Sequence, residues 1–425
     1  MTSSDRTTTY RSTAMDRVFA EARTIAVIGP CVTLDEDAIR KALTVAEQST
    51  ATPRLAVEPD THTVQWRYRR NLGERTPIAH LPAEDSRDLG HLMGVIRRRP
   101  GVREPLEVVI AGDYIAVDYS HGVGDGQMGV LLLATLGGNI DFGRAPALAK
   151  GLPSNTTWTA LRHHYLSRPA ALRDFWRLRK QNKKPPRLVV GATKRIEDWE
   201  SGKTSRADFM APDRVAQLKK WASTQPGKAT TASVTIALWI AALEAEGVTV
   251  DESVMILFNS RRYLPPKLQD GHGNFAVGIP VRIPPSPSAA DIAALMRQVI
   301  DSGWPIAILG MSQIKAALKR SAPVAHASTE SSIEVNDRIR LAVSDLGKLT
   351  MFDDGLWIRD ERPPRLAAFL EPDGPDGATL LVSEIDNGRT FTASFCDKMI
   401  DPAVIESALR RMCDDPVGTL QAEPK

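Results

Sequence analysis

Only three cysteines, Cys31, Cys396 and Cys413, occur in 425 residues. They are odd in number, far apart and without paired ligand spacing, which points to neither a disulfide framework nor a zinc site. A reducing, cytoplasmic setting is expected. Long apolar runs are scarce too: the longest, Val234 to Leu243, is well short of the roughly 20 residues a membrane-spanning helix needs, so it reads as a buried core helix. The opening MTSSDRTTTYRSTAMDRVF has no apolar stretch like that of a signal peptide, and export is not expected. Neither charge sign dominates. With 54 basic and 51 acidic side chains, the balance argues against a globally basic nucleic-acid binder. No G-x-S-x-G elbow and no HExxH is present, so serine-hydrolase and zincin readings have no signature to rest on.

Hydrophobic content of 42% and charged content of 25% are ordinary for a folded globular chain, and the length predicts two lobes rather than one. Thr24 to Gly29 reads as an apolar strand. After it, Thr33 and Glu36 have capping-box spacing, and Ile39, Ala42, Leu43 and Ala46 recur at helical intervals. Leu106 to Ile110 and Tyr114 to Ser120 flank an Ala-Gly-Asp connection and predict a hairpin. The second strand alternates Ile115, Val117 and Tyr119 with Ala116, Asp118 and Ser120, while Met128 to Leu136 favours a helix. From Arg162 to Arg187 the chain is strongly basic and ends in Pro185-Pro186, the best candidate for a boundary between lobes. His163 and His164 lie within it, in a helical, basic context that suggests surface.

The stretch Tyr119-Ser120-His121-Gly122-Val123-Gly124-Asp125-Gly126 therefore has a histidine leaving a strand and an aspartate preceding a helix. A general base must be held in one tautomer with a ring nitrogen facing substrate, and a strand end suits that. Glycines at 122, 124 and 126 permit a tight turn. A buried Asp125 would need a cationic partner, so an arginine from elsewhere in the chain is expected. The plainer alternative is a structural histidine beside a glycine turn. A metal pair is disfavoured, because the glycines argue against a single helical face.

These residues resemble the HHxxxDG signature of the chloramphenicol acetyltransferase-like superfamily. That group takes in condensation domains of peptide synthetases, polyketide-associated acyltransferases, wax ester synthases and plant BAHD acyltransferases. The family's catalytic second histidine is His121, and Ser120 replaces the first. Other stretches follow in the family's order: TLDEDAIRKALTVAEQSTATPRLAV as first helix and strand, MILFNSRRYLPP with GHGNFAVGIP as an arginine-bearing strand and Gly-Asn loop, LAVSDLGKL as a Ser-Asn-x-Gly-like segment with Asp345 where Asn is common, and RTFTASFCDKMIDPAVIESALRRM as closing strand and helix.

The resemblance implies an α/β pseudodimer of two lobes, each a mixed, mostly antiparallel sheet with helices, around an interlobe tunnel. Residues 1–185 would carry the HxxxDG motif and residues 186–425 would complete the tunnel, in a monomer. It implies transfer of an acyl group from an acyl-CoA or phosphopantetheinyl thioester to a hydroxyl or amine, with no permanently bound cofactor and no metal. His121 would be the base, Asp125 would pair with Arg261 or Arg262, Gly126 and Ser120 would support the turn, Ser344 would donate to the oxyanion, and Asn274 would line the tunnel. Solvated arginines and turn-capping Ser344 and Asn274 are the plainer readings. The partners implied are a small-molecule acceptor and acyl-CoA or an acyl carrier protein, the basic run suiting either phosphates or an acidic carrier, or serving only as a solvated linker. The alternative is a catalytically silent condensation-like protein that binds a carrier protein or ligand.

Overall fold

The computed structural model describes residues 9–32, 35–137, 142–182, 193–225, 227–284, 287–318, 332–355 and 357–422. Thr24 to Gly29 lie in the strand Arg23–Gly29, buried from Thr24 onward. The helix Glu36–Gln48 buries Ile39, Ala42, Leu43 and Ala46, as its periodicity predicts. Its cap is different: the Asp35 carboxylate accepts from the amides of Asp37 and Ala38, because a short acidic side chain just before the first turn reaches two orphan donors. Thr33 of the expected capping box lies outside the described residues.

The strands Leu106–Ala111 and Tyr114–Ser120 form the predicted hairpin, with Gly112 at φ 56° in the turn, a conformation glycine adopts at little cost. All seven residues of Tyr114–Ser120 are buried. Ile115, Val117 and Tyr119 belong to the core containing the helix Gly126–Leu136, and Tyr114 and Ala116 pack with the helix Leu89–Arg98 on the other side. Asp118 on that second face is neutralised by Arg23 at 2.7 Å.

One sheet has five strands in the order Arg365–Leu370, Arg23–Gly29, Tyr114–Ser120, Leu106–Ala111 and Ile78–Leu81, antiparallel except for the last pair. The other has six, in the order Ala276–Arg282, Ser253–Asn259, Arg340–Lys348, Gly377–Ile385, Gly388–Cys396 and Lys203–Met210. There only Arg340–Lys348 runs parallel to its neighbours. Both sheets are thus mixed and mostly antiparallel. Val234–Leu243 lies in the helix Thr231–Ala245 and is almost wholly buried over the six-stranded sheet.

The expected division between residues 185 and 186 falls outside the described residues. Before it, the helices Thr156–Ser167 and Ala170–Gln181 place Ala160, Phe175 and Leu178 in the same core as the helix Thr231–Ala245. After it, Arg365–Leu370 crosses back to close the edge of the five-stranded sheet. Each half therefore packs partly on the other. His163 is exposed, but His164, expected at the surface, is buried. Its ring meets Tyr165 and Tyr263 edge-on, each at 5.0 Å, because this face of the helix turns inward. The three cysteines are free and buried. Among the described residues no single helix is long and apolar enough to cross a membrane.

Candidate active site

His121 leaves the strand Tyr114–Ser120 with its amide donating to the Ala22 carbonyl at 2.7 Å. Ser120 braces the turn from behind. Its Oγ donates to the Ala20 carbonyl at 2.7 Å and accepts from the Gly122 amide at 3.2 Å, and it makes no hydrogen bond to the imidazole. A side chain at position 122 would come within 2.9 Å of Ala20 Cα and 3.2 Å of the Asp16 carbonyl, so the backbone approach there requires glycine. At Gly126 the only close neighbour of a Cβ would be Leu346 Cδ2, at 3.9 Å. Glycine is not sterically demanded at that position.

Asp125 is the N-cap of the helix Gly126–Leu136. Arg261 meets it with two hydrogen bonds, Nη1 to Oδ2 at 2.8 Å and Nη2 to Oδ1 at 3.1 Å, and the Phe275 amide donates to Oδ2 at 3.0 Å. Both side chains are buried. Burial pushes the Asp125 carboxyl up, but the Arg261 charge and hydrogen bonds outweigh it and hold the group below the usual carboxylate range. Arg261 also donates to the Gly271 and Gly273 carbonyls at 3.0 and 2.9 Å. The register is set by the short turn Ser260–Tyr263, where Asn259 Oδ1 accepts from the Arg261 amide. Arg262, one residue on, points to solvent and makes no ion pair among the described residues.

Asn274 reaches His121 across the molecule. Its Oδ1 lies 2.9 Å from His121 Nδ1, while its Nδ2 donates to the His121 carbonyl at 2.8 Å. An amide so oriented presents an acceptor to Nδ1, which must then carry the proton and leave the lone pair on Nε2. His121 is half-buried, and its ring stacks against Phe19 with centroids 4.4 Å apart and planes at 32°. Nε2 has no hydrogen-bond partner among the described residues. Beside Asn274 a crevice runs between Met15, Leu152, Thr157, Leu309 and Gln313.

Ser344 stands on the strand Arg340–Lys348, half-buried and paired with Leu381, and its hydroxyl makes no hydrogen bond among the described residues. The structure brings His121, Asp125, Arg261 and Asn274 into direct contact; Ser344 is linked to them only through its strand, whose Leu346 approaches Gly126. Asp345 is turned elsewhere: it accepts from the buried Arg389 at 2.7 Å and from the Gly347 amide at 2.8 Å.

Two residues that sequence reasoning did not single out complete the site. Asp16, fully buried, accepts from Asn274 Nδ2 at 3.0 Å, Arg54 Nη2 at 2.8 Å, Tyr10 Oη at 2.7 Å and the Thr13 amide at 2.9 Å. Arg54, equally buried, donates to the Gly122 and Val123 carbonyls at 2.8 and 2.6 Å. Burial pushes the Asp16 carboxyl up, and Arg54 with these donors more than reverses that. The one local signal was capping-box spacing between Thr13 and Asp16, which both exist as a cap. Among the described residues no three His, Cys, Asp or Glu side chains are grouped so as to hold a metal.

No family model matches the chain, and no curated protein matches it. Solved structures do. A trichothecene 15-O-acetyltransferase from Fusarium sporotrichioides superimposes over 99% of this chain and 96% of its own, with TM-score 0.61 and 12% identity. The epimerization domain from the third module of tyrocidine synthetase B gives 98% and 96%, TM-score 0.54 and 12% identity. The first condensation domain of the calcium-dependent antibiotic synthetase gives 96% and 93%, TM-score 0.53 and 17% identity. The chain thus shares its fold, along nearly its whole length, with an acetyltransferase and with peptide-synthetase epimerization and condensation domains.

Proposed function

We propose that the protein is an acyltransferase that joins the acyl group of a thioester to a hydroxyl or amine. The observation that carries this is the His121–Asn274 contact: it leaves an unprotonated, unpartnered Nε2 on a half-buried ring, which is what a general base needs. Nε2 takes the proton as the acceptor oxygen or nitrogen attacks the thioester carbonyl. The tetrahedral intermediate then expels the thiolate, which recovers the proton from His121, so the enzyme ends unchanged. Asp125 and Arg261 hold the turn and do not touch substrate. Ser344 is the residue we assign to the oxyanion, a role supported by its free hydroxyl and by its strand, which runs past Gly126. One such donor contributes about 3 kcal/mol elsewhere.

Donor and acceptor would enter a tunnel between the lobes from opposite sides, in a monomer. Exposed Arg173, Arg177 and Lys180 on the helix Ala170–Gln181 favour a donor with phosphates or an acidic carrier. Three free cysteines suit a reducing compartment.

The test is incubation of purified protein with acetyl-CoA, longer acyl-CoAs and acylated carrier protein, each with a panel of alcohols and amines, and product detection by mass spectrometry. Acylated acceptor formed by the wild type and not by His121→Ala supports the proposal. Acid release without any acceptor would mean thioester hydrolysis instead. Binding of thioester with no turnover of any kind would favour a silent carrier- or ligand-binding protein.

A further inference from the structure

We infer that Asp16 is a positioning residue that, through Asn274, decides which ring nitrogen of His121 carries the proton; this rests on His121 acting as the base. An asparagine amide can present either its oxygen or its nitrogen to a histidine, and the two choices select opposite tautomers. What settles the choice is the other end of the amide. The nitrogen of Asn274 faces three acceptors: Asp16 Oδ1 at 3.0 Å, the His121 carbonyl at 2.8 Å and the Gly122 carbonyl at 3.4 Å. Asp16 is the charged member and the strongest acceptor of the three.

Its own orientation leaves no slack. Oδ1 accepts from Asn274 and Arg54, and Oδ2 accepts from Tyr10 and the Thr13 amide. An amino group at Oδ1 would face two donors, Asn274 and Arg54; at Oδ2 it would face the Thr13 amide, while the Tyr10 hydroxyl can turn to accept. With nitrogen at the Oδ1 position, turning the Asn274 amide over removes the donor–donor clash, at the cost of the bonds to the His121 and Gly122 carbonyls; it presents Nδ2 to His121 Nδ1 and forces the proton onto Nε2. The base is then lost although every side chain of the turn is still in place. Asp16 and Asn274 are 258 residues apart. The contact also spans the expected division between the two halves.

The experiment reads His121 by ¹⁵N-detected imidazole spectroscopy at a pH where the ring is neutral, in wild type, Asp16→Asn and Asp16→Ser, alongside a kinetic double-mutant cycle with Asn274→Ala. Wild type is expected to carry the proton on Nδ1. Asp16→Asn is expected to shift it largely to Nε2 and to lower kcat at least tenfold with KM changed less than threefold. In the Asn274→Ala background the same substitution should change kcat less than twofold, because its route to His121 is gone. A wild-type proton on Nε2 overturns the inference by itself, even if neither Asp16 variant folds. So does an Asp16→Asn protein that keeps the Nδ1 proton, or equal, multiplying losses in both backgrounds. If the wild type has no transferase activity, the acyl-transfer reading fails while the spectra still test the relay.

Discussion

Asp125 Oδ2 and Arg261 Nη1 lie 2.8 Å apart, both buried, although 136 residues separate them. The pair closes the turn that carries His121 onto the loop that carries Asn274. Removing one member leaves the other charged in a dry site, at a cost of about 3–5 kcal/mol. Arg261→Ala is therefore expected to lower stability by that order in denaturant unfolding, whereas the exposed Arg262→Ala should change it by less than about 0.5 kcal/mol. Equal effects would mean the register has been misassigned.

The same pair governs acid stability. Asp125, and Asp16 beside Arg54, are held below the ordinary carboxylate range. The unfolded chain binds these protons more readily, so their contribution is present above about pH 4 and is lost as pH falls through the depressed folded values. In Arg261→Ala the Asp125 contribution vanishes. The acid-unfolding midpoint of that variant should move to higher pH.

His272 gives a separate pH dependence. It is buried between Gly271 and Gly273 in the loop held by Arg261, and burial, then the Arg261 charge, lowers its ring to about 4. Folding keeps it neutral. Its contribution is complete above about pH 6.5, the unfolded value, and is lost progressively as pH falls toward 4, amounting to roughly 3 kcal/mol. Urea unfolding at pH 7.5 and pH 5 should lose less stability between the two for His272→Asn than for wild type. An identical loss in both proteins would show that another group is responsible.

The glycines of the turn should separate cleanly. Gly122→Ala pushes its Cβ to 2.9 Å from Ala20 Cα, with backbone on both sides. A loss of about 1–3 kcal/mol and displacement of His121 are expected. Gly126→Ala meets only Leu346 at 3.9 Å. It begins a helix, where alanine is the better residue by up to about 1 kcal/mol, so it should be neutral or stabilising. Thermal unfolding of the two variants checks the contrast.

Much of this site was legible because its signals are local. A histidine at a strand end, an aspartate four residues on and a helix behind it are properties of one short segment, and burial of Asp125 requires a cation. The choice between Arg261 and Arg262 was not legible, since it depends on the turn Ser260–Tyr263 that follows the strand. Asp16 and Arg54 were hidden for a related reason. Each lies in a polar or proline-flanked stretch without distinctive periodicity, and their partners, Tyr10, Gly122, Val123 and Asn274, are brought to them only by the tertiary fold. The burial of Asp118 was not legible either, since its partner Arg23 lies 95 residues away on the neighbouring strand.

The most direct measurement is single-turnover acyl transfer from a thioester accepted by the wild type, followed in wild type and in His121→Ala at equal folded concentration. A general base contributes roughly 10²- to 10⁴-fold. The account predicts a loss of that size in the variant, with thioester binding retained. Equal transfer rates in the two proteins would contradict it.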